Sequence, residues 1–72
     1  MISFYENQLT LLELNVKAVE NAPIEVNILT LEFIKTIDVA NYPEDLQEKA
    51  EKVLQELKET LSLRIRRLQQ GG

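Results

Sequence analysis

Residues 43–69 read PEDLQEKAEKVLQELKETLSLRIRRLQ and carry the pattern of one long α-helix. Pro43 suits the start of a helix, because the N–H that proline lacks would have no partner there. Acids follow it and arginines occupy the last turns, so both ends complement the helix dipole. Apolar residues recur at steps of three and four: Leu46, Ala50, Val53, Leu54, Leu57, Leu61, Ile65 and Leu68. The segment therefore predicts a helix over about 43–69 whose apolar stripe is wide enough to contact two neighbouring helices.

The preceding 42 residues fit two different periods. A helix is favoured by apolar residues at steps of four and three: Tyr5, Leu9, Leu12, Val16 and Val19. A strand is favoured by alternation through Leu12, Leu14, Val16 and Ala18. The next stretch repeats the conflict, since Val26, Leu29 and Phe33 have helical spacing while its many β-branched residues favour strand. An N-terminal β-hairpin before the long helix, an α+β fold, therefore stays open beside an all-α fold.

A short internal repeat favours the all-α fold. At an offset of 20 residues, Asn21-Ala22-Pro23 matches Asn41-Tyr42-Pro43, and the triplet Leu-Thr-Leu at 9–11 recurs at 29–31. Because the second Asn-x-Pro introduces a helix, the first is expected to do the same. The sequence thus predicts one domain over 1–72, a three-helix bundle or helical hairpin with helices at about 3–20, 23–39 and 43–69.

The third predicted helix is longer than its partners. At 1.5 Å per residue it spans about 40 Å, whereas the first two span about 26 Å each. We expect its C-terminal end to overhang and to leave apolar side chains for another protein surface, framed by arginines that favour interfaces. The predicted interface consists of Leu61, Leu63, Arg64, Ile65, Arg66, Arg67 and Leu68.

Composition removes most catalytic and metal chemistry. The 72-residue chain has a net charge of −4 and contains neither cysteine nor histidine. It therefore lacks disulfides, thiolate ligands, the commonest metal ligand and the usual general base near neutral pH. No phosphate-binding or hydrolase motif is present either. The adjacent acids Glu44 and Asp45 fit a helix start better than a catalytic pair. We expect no enzymatic activity, no cofactor and no metal.

The charge pattern also bears on partners and location. Negative net charge with a single short arginine cluster argues against nucleic acid. The longest uncharged runs are too short for a bilayer, and the first residues do not resemble a signal peptide, so we expect a cytoplasmic protein without membrane contact. The function predicted is protein–protein interaction or assembly, as a homo-oligomer or a subunit of a larger complex. One form is an acidic, antitoxin-like inhibitor whose Glu6, Glu13 and Glu20 bind a basic protein.

The last residues offer an alternative function. From Leu61 to Gly72, apolar residues alternate with arginines and lead to Gly71-Gly72. This segment resembles the last strand and diglycine tail of ubiquitin-like modifiers and sulfur carriers. The resemblance implies a β-grasp fold in which the terminal carboxylate, here on Gly72, is activated by adenylation and conjugated. It covers about 12 residues, and the long helix from Pro43 departs from the β-grasp order of elements.

Overall fold

In the computed structural model, which describes residues 4–71, the chain forms three α-helices and one short 3-10 helix. These elements are α1 (Phe4–Ala18), α2 (Ile24–Lys35), the 3-10 helix (Val39–Asn41) and α3 (Glu44–Gln69). Both α1 and α2 pack on α3, and α2 makes the more extensive contact. Arg64, late in α3, reaches the end of α1 and the start of α2, so the helices run up, down and up. The prediction of an all-α bundle with a long C-terminal helix is confirmed.

The long helix α3 supplies one side of the core. Its N-cap residue is Pro43. The acids Glu44 and Asp45 lie in its first turn, and the arginines Arg66 and Arg67 lie in its last turn. The charges thus complement the dipole at both ends, as the sequence indicates. Its buried residues follow the predicted stripe: Leu46, Ala50, Leu54, Leu57, Leu61 and Ile65.

The first helix packs along α3 through Leu9, Leu12 and Val16, which are all buried. Tyr5 and Val19 extend this stripe as partly buried contacts. The predicted helix ran over about 3–20, whereas α1 ends at Ala18, and residue 3 lies outside the described residues. The helical period therefore prevails in residues 4–18, because it places three apolar side chains in one core.

The second helix is shorter than predicted, since α2 ends at Lys35 and not near residue 39. The Thr36 hydroxyl donates a hydrogen bond of 2.6 Å to the carbonyl of Phe33. The Asp38 carboxylate then accepts a hydrogen bond of 2.9 Å from the Ala40 N–H and caps the 3-10 helix. Threonine and aspartate side chains compete with helix continuation in this way, which explains the early end.

No strand forms within residues 4–71, so the alternative of an N-terminal β-hairpin is wrong. The strand that the diglycine resemblance implies is also not formed, because residues 61–69 continue α3 and its apolar stripe. Gly72 lies outside the described residues. The Asn-x-Pro repeat does have a structural counterpart, since Pro23 and Pro43 are the N-cap residues of α2 and α3 with nearly equal backbone angles.

A tyrosine pair closes the end of the molecule where α3 begins. The Tyr42 hydroxyl donates a hydrogen bond of 2.7 Å to Gln8 Oε1 in α1, and its ring centroid lies 4.8 Å from that of Tyr5. Burial, and secondarily the neighbouring Tyr5, raises the pKa of Tyr42 above its ordinary value. Tyr42 therefore attaches the start of α1 to the segment that leads into α3.

Candidate protein-interaction surface

The side of α2 that faces the core is unusually polar. Asn27 is fully buried, Thr30 is buried, and Ile34 is the apolar member of the same stripe. The Thr30 hydroxyl donates a hydrogen bond of 2.8 Å to the Val26 carbonyl within the same helix. Burying a polar side chain gains little hydrophobic free energy. A buried polar residue therefore says more about why a helix has its orientation than a single exposed apolar residue does. The orientation of α2 therefore leaves Val26, Leu29 and Phe33 outside the core while two polar residues are buried in it.

Three apolar residues of α2 lie on its exposed side. Leu29 is 69% exposed and Phe33 is 53% exposed, and Val26 lies one turn before Leu29 on the same side. The helical spacing of these residues in the sequence is confirmed, but the stripe that they form is not the one that α2 buries. The core stripe is shifted by one position, to residues 27, 30 and 34.

Helix α1 presents a second apolar stripe on the same side of the molecule. Leu11 is 64% exposed and Leu14 is 57% exposed. Together with Ala18 they border an open groove whose opposite wall is Phe33 of α2. We call these six residues the α1/α2 face: Leu11, Leu14, Ala18, Val26, Leu29 and Phe33.

The groove exists because α1 and α2 each pack mainly on α3 and not on one another. Its floor includes Leu12, and the uncharged Gln8 and Asn15 complete its lining. A charged side chain would have to be desolvated when a partner covered the groove, whereas leucine, phenylalanine and alanine gain from being covered. The lining thus has the chemistry of the central part of a protein interface.

Arg64 has an internal role that the sequence did not reveal. Its Nη1 donates hydrogen bonds of 2.9 Å to the Val16 carbonyl and 3.0 Å to Asn27 Oδ1. The Asn27 amide in turn donates to the carbonyls of Ala22 and Pro23, at 3.3 and 3.2 Å. Carbonyls in the last turn of a helix lack partners within it, so Arg64 caps α1 from a different helix. We call this network the Arg64 junction.

The other residues of the predicted C-terminal interface are divided by the structure. Leu61 is fully buried and Ile65 is buried, so the expectation that the overhang leaves them uncovered is wrong. The reason is that α1 and α2 run alongside α3 as far as the Arg64 junction. Leu63 is 52% exposed, Leu68 is partly exposed, and Arg66 and Arg67 are exposed in the last turns.

The predicted acidic stripe is present on the surface. Glu6, Glu13 and Glu20 are all exposed, with the first two on α1. Helical spacing places Glu6 and Glu13 on the flank of α1 that points away from Leu11 and Ala18. The acidic stripe and the α1/α2 face are therefore separate surfaces.

Sequence reasoning missed the α1/α2 face as a site, although a signal for it exists. Residues 24–35 contain apolar side chains around nearly the whole helix, and the only uncharged polar ones are Asn27 and Thr30. A helix that is apolar on every side needs cover on every side. In a chain of this size a single neighbouring helix cannot supply that cover.

Known proteins provide no relative from which a site could be transferred. No protein-family model matches the chain, and neither a curated protein nor a solved structure is significantly similar to it. Within residues 4–71, no cluster of three or more carboxylates is arranged to hold a metal ion. Among the described helices, none combines the length and apolar character that crossing a bilayer requires.

Proposed function

We propose that this protein is a non-catalytic, cytoplasmic assembly protein that binds another protein surface through the α1/α2 face, as a homo-oligomer or as a subunit of a larger complex. The observation that carries the proposal is the orientation of α2, which buries Asn27 and Thr30 while Leu29 and Phe33 remain exposed. A protein that functions as a monomer would be more stable if Leu29 and Phe33 faced the core and Asn27 and Thr30 faced solvent. Contiguous apolar surface on two adjacent helices is typical of an interaction site.

The size of the face fits a reversible association. Burying a leucine, valine or phenylalanine side chain completely contributes about 1.5–3 kcal/mol. Leu11, Leu14, Leu29 and Phe33 are each half-exposed or more, and Val26 is somewhat less exposed. Covering these five side chains is therefore worth about 5 kcal/mol from this chain, and a partner of similar character roughly doubles that sum. Association costs about 4–15 kcal/mol, so this apolar burial supports a dissociation constant of about 40 μM at the tightest.

The absence of cysteine makes a direct test possible, because one introduced thiol is a unique reporter. Ala18→Cys places a thiol on the α1/α2 face with little change in size. Ser62→Cys places an almost isosteric thiol at an exposed position of α3 outside the face and serves as the matched control. Each variant is expressed in the cells in which the gene naturally resides, and its alkylation by a membrane-permeant maleimide is timed there and on the dilute purified chain.

If the face is covered in the cell, the thiol at position 18 reacts several times more slowly there than on the dilute purified chain. The thiol at position 62 should react at similar relative rates in both settings. A ratio of cellular to purified-chain rates that is the same at both positions would contradict the proposal. This comparison requires no knowledge of the partner, because it measures only whether the face is accessible.

A further inference from the structure

The outer border of α2, on the side of Leu29 away from the groove, is acidic. Residues three and four positions apart are neighbours on a helix surface, and Phe33 lies on the groove side of Leu29. The same spacing places Glu25 and Glu32 beside Leu29 on its outer side, and both are exposed. These two carboxylates are two turns apart, about 10 Å along the helix axis. A partner that covers Leu29 therefore lies next to two negative charges.

The outer flank of α1 is also acidic on balance. Thr10 and Lys17 adjoin Leu14 on its side away from the groove. By the same spacing, Glu6 and Glu13 adjoin Thr10 one step farther around the helix, and all of these residues are exposed. The flank thus carries two carboxylates and one ammonium group. Charges act on a partner over a Debye length, which is about 10 Å at 0.1 M salt, so this flank also favours a basic partner.

The distribution of charge along the whole chain agrees with these two borders. Residues 1–42, which include both helices of the α1/α2 face, contain six acidic and two basic side chains. Residues 43–72, which include α3, contain six of each. The net charge of −4 therefore resides entirely in the part of the chain that forms the face. Because the groove lining is uncharged, the face combines an apolar centre with a negative surround.

The shape of the groove fits a helix better than an extended chain. Its walls are two antiparallel helices, and a further helix can lie between them as a neighbour in a bundle does. Leu11 and Ala18 are seven residues apart and span about 10 Å of the groove, which matches apolar side chains at i, i+4 and i+7 of a partner helix. Within residues 4–71 there is no strand whose edge could pair with an extended peptide.

From these observations we infer that the occupant of the α1/α2 face is an amphipathic helix of another protein, whose apolar stripe is flanked by lysines or arginines. The inference rests on the proposed function and specifies the class of partner. The apolar stripe covers Leu29 and Phe33, while the basic side chains lie against Glu25 and Glu32. A second copy of this chain is a poorer fit, because two surfaces that both carry the negative charge of residues 1–42 would then face one another.

The absence of tryptophan from the 72-residue chain supplies a reporter for the test. Three synthetic amphipathic peptides of about 18 residues, or five helical turns, share one stripe of leucines with a single tryptophan in it. The flanking residues are lysine in the first peptide, glutamine in the second and glutamate in the third. Burial of the tryptophan in the groove shifts its fluorescence to shorter wavelength, so titration with the purified chain gives the dissociation constant of each peptide.

The three peptides test whether charge selects the occupant. At low salt the lysine peptide should bind at least about tenfold more tightly than the glutamate peptide, and the glutamine peptide should lie between them. Added salt should reduce this difference, because the borders and the flanking lysines are exposed to solvent.

Two pairs of substitutions test where the attraction arises. Glu25→Gln with Glu32→Gln neutralises the border of α2, whereas Glu51→Gln with Glu56→Gln neutralises two exposed residues of α3 outside the face and is the matched control. Both pairs change the net charge equally and differ only in position. The first pair should weaken binding of the lysine peptide about fivefold, and the control should stay within about twofold of wild type. Leu29→Gln should weaken binding of all three peptides, because it removes an apolar contact that they share.

Other outcomes overturn the inference and separate it from the proposed function. Equal affinity for all three peptides, or equal weakening by both substitution pairs, shows that the borders do not select a basic helix and leaves the proposed function intact. Self-association in sedimentation equilibrium that Leu29→Gln abolishes shows that a second copy covers the face instead. Failure of every peptide to bind, combined with protection of the thiol at position 18 in cells, requires a partner of a different shape. Failure to bind without that protection contradicts both proposals.

Discussion

Replacing Asn27 by leucine should destabilise the fold even though it makes a buried site more apolar. Leucine repeats the branched heavy-atom skeleton of asparagine with methyl groups in place of the amide oxygen and nitrogen, so the change removes the hydrogen bonds of this fully buried side chain and adds bulk to the site. Arg64 loses the acceptor at 3.0 Å, and the carbonyls of Ala22 and Pro23 lose an amide donor. Of these two carbonyls, Pro23 keeps the N–H of Val26 as a partner.

The cost follows from the kinds of hydrogen bond that are lost. A bond to a charged donor contributes about 1.5–3 kcal/mol, and the lower end applies because Arg64 is only half-buried. The two amide bonds are long and together contribute about 1 kcal/mol. We therefore expect Asn27→Leu to lower the free energy of unfolding by about 2.5 kcal/mol. Arg64→Met should cost a similar amount, since it uncaps Val16 and leaves Asn27 Oδ1 without its partner.

A double-mutant cycle isolates the shared bond. Because each single change already removes the bond between Arg64 and Asn27, the double variant should cost about 1.5 kcal/mol less than the sum of the singles. Urea unfolding followed by far-UV circular dichroism measures all four proteins at one protein concentration, since association shifts apparent stability. Arg67→Met, an exposed arginine in the last turn, is the control and should stay within about 0.5 kcal/mol of wild type. Additive single effects, or an Asn27→Leu variant as stable as this control, would refute the reasoning.

Three further changes probe the core, the tyrosine pair and the face. Leu61→Ala should lower the unfolding free energy by about 2–5 kcal/mol, because it removes a fully buried side chain, and a normal thermal transition would contradict this. Tyr42→Phe should cost about 1 kcal/mol near neutral pH through loss of the hydrogen bond to Gln8, as measured by urea unfolding. The wild-type contribution of Tyr42 persists below about pH 10 and is lost as the pH rises toward its raised folded-state pKa, because the unfolded chain ionises first. Tyr42→Phe should therefore flatten the alkaline loss of stability, and an unchanged profile would show that Tyr42 is not its source. Leu29→Gln should weaken binding at the α1/α2 face, so that the thiol of Ala18→Cys loses its protection from maleimide in cells, without destabilising the folded chain, whereas Leu63→Gln, at a leucine of comparable exposure outside the face, should leave that protection unchanged.

The elements that were predictable are those in which one periodic pattern had no rival. In helix α3 the acids of the first turn, the apolar stripe and the arginines of the last turn all indicate the same helix. Its bounds and its buried face therefore follow from residues 43–69 alone. Residues 4–18 carry two competing patterns, and the helix prevails through packing against α3, which is a tertiary effect. The end of α2 depends on side-chain hydrogen bonds of Thr36 and Asp38, which a hydrophobic pattern does not contain.

The candidate site was less predictable than the fold. The face of α2 that meets α3 is selected by Asn27, and Asn27 is tolerated in the core only because Arg64, 37 residues later, supplies its partner. A pattern of apolar residues cannot show such a long-range hydrogen bond. Arg64, Arg66 and Arg67 are close together in sequence, but the structure separates them: Arg64 holds three chain segments together, and Arg66 and Arg67 remain on the surface.

The attachment of α1 has a consequence for how the chain folds and opens. Helices α2 and α3 form an antiparallel pair joined by the short segment 36–43, so their contacts begin close in sequence, whereas the side-chain hydrogen bonds that tie α1 to Tyr42 and Arg64 join residues 34 and 48 positions apart. Closing longer loops costs more entropy, so α2 and α3 should pair before α1 docks, and α1 should detach first in partial unfolding. Since α1 carries Leu11, Leu14 and Ala18, its detachment would dismantle half of the α1/α2 face. Because a partner binds only the docked form of α1, binding and the docking of α1 are coupled equilibria. Amide hydrogen exchange in α1 should accordingly slow whenever the α1/α2 face is occupied.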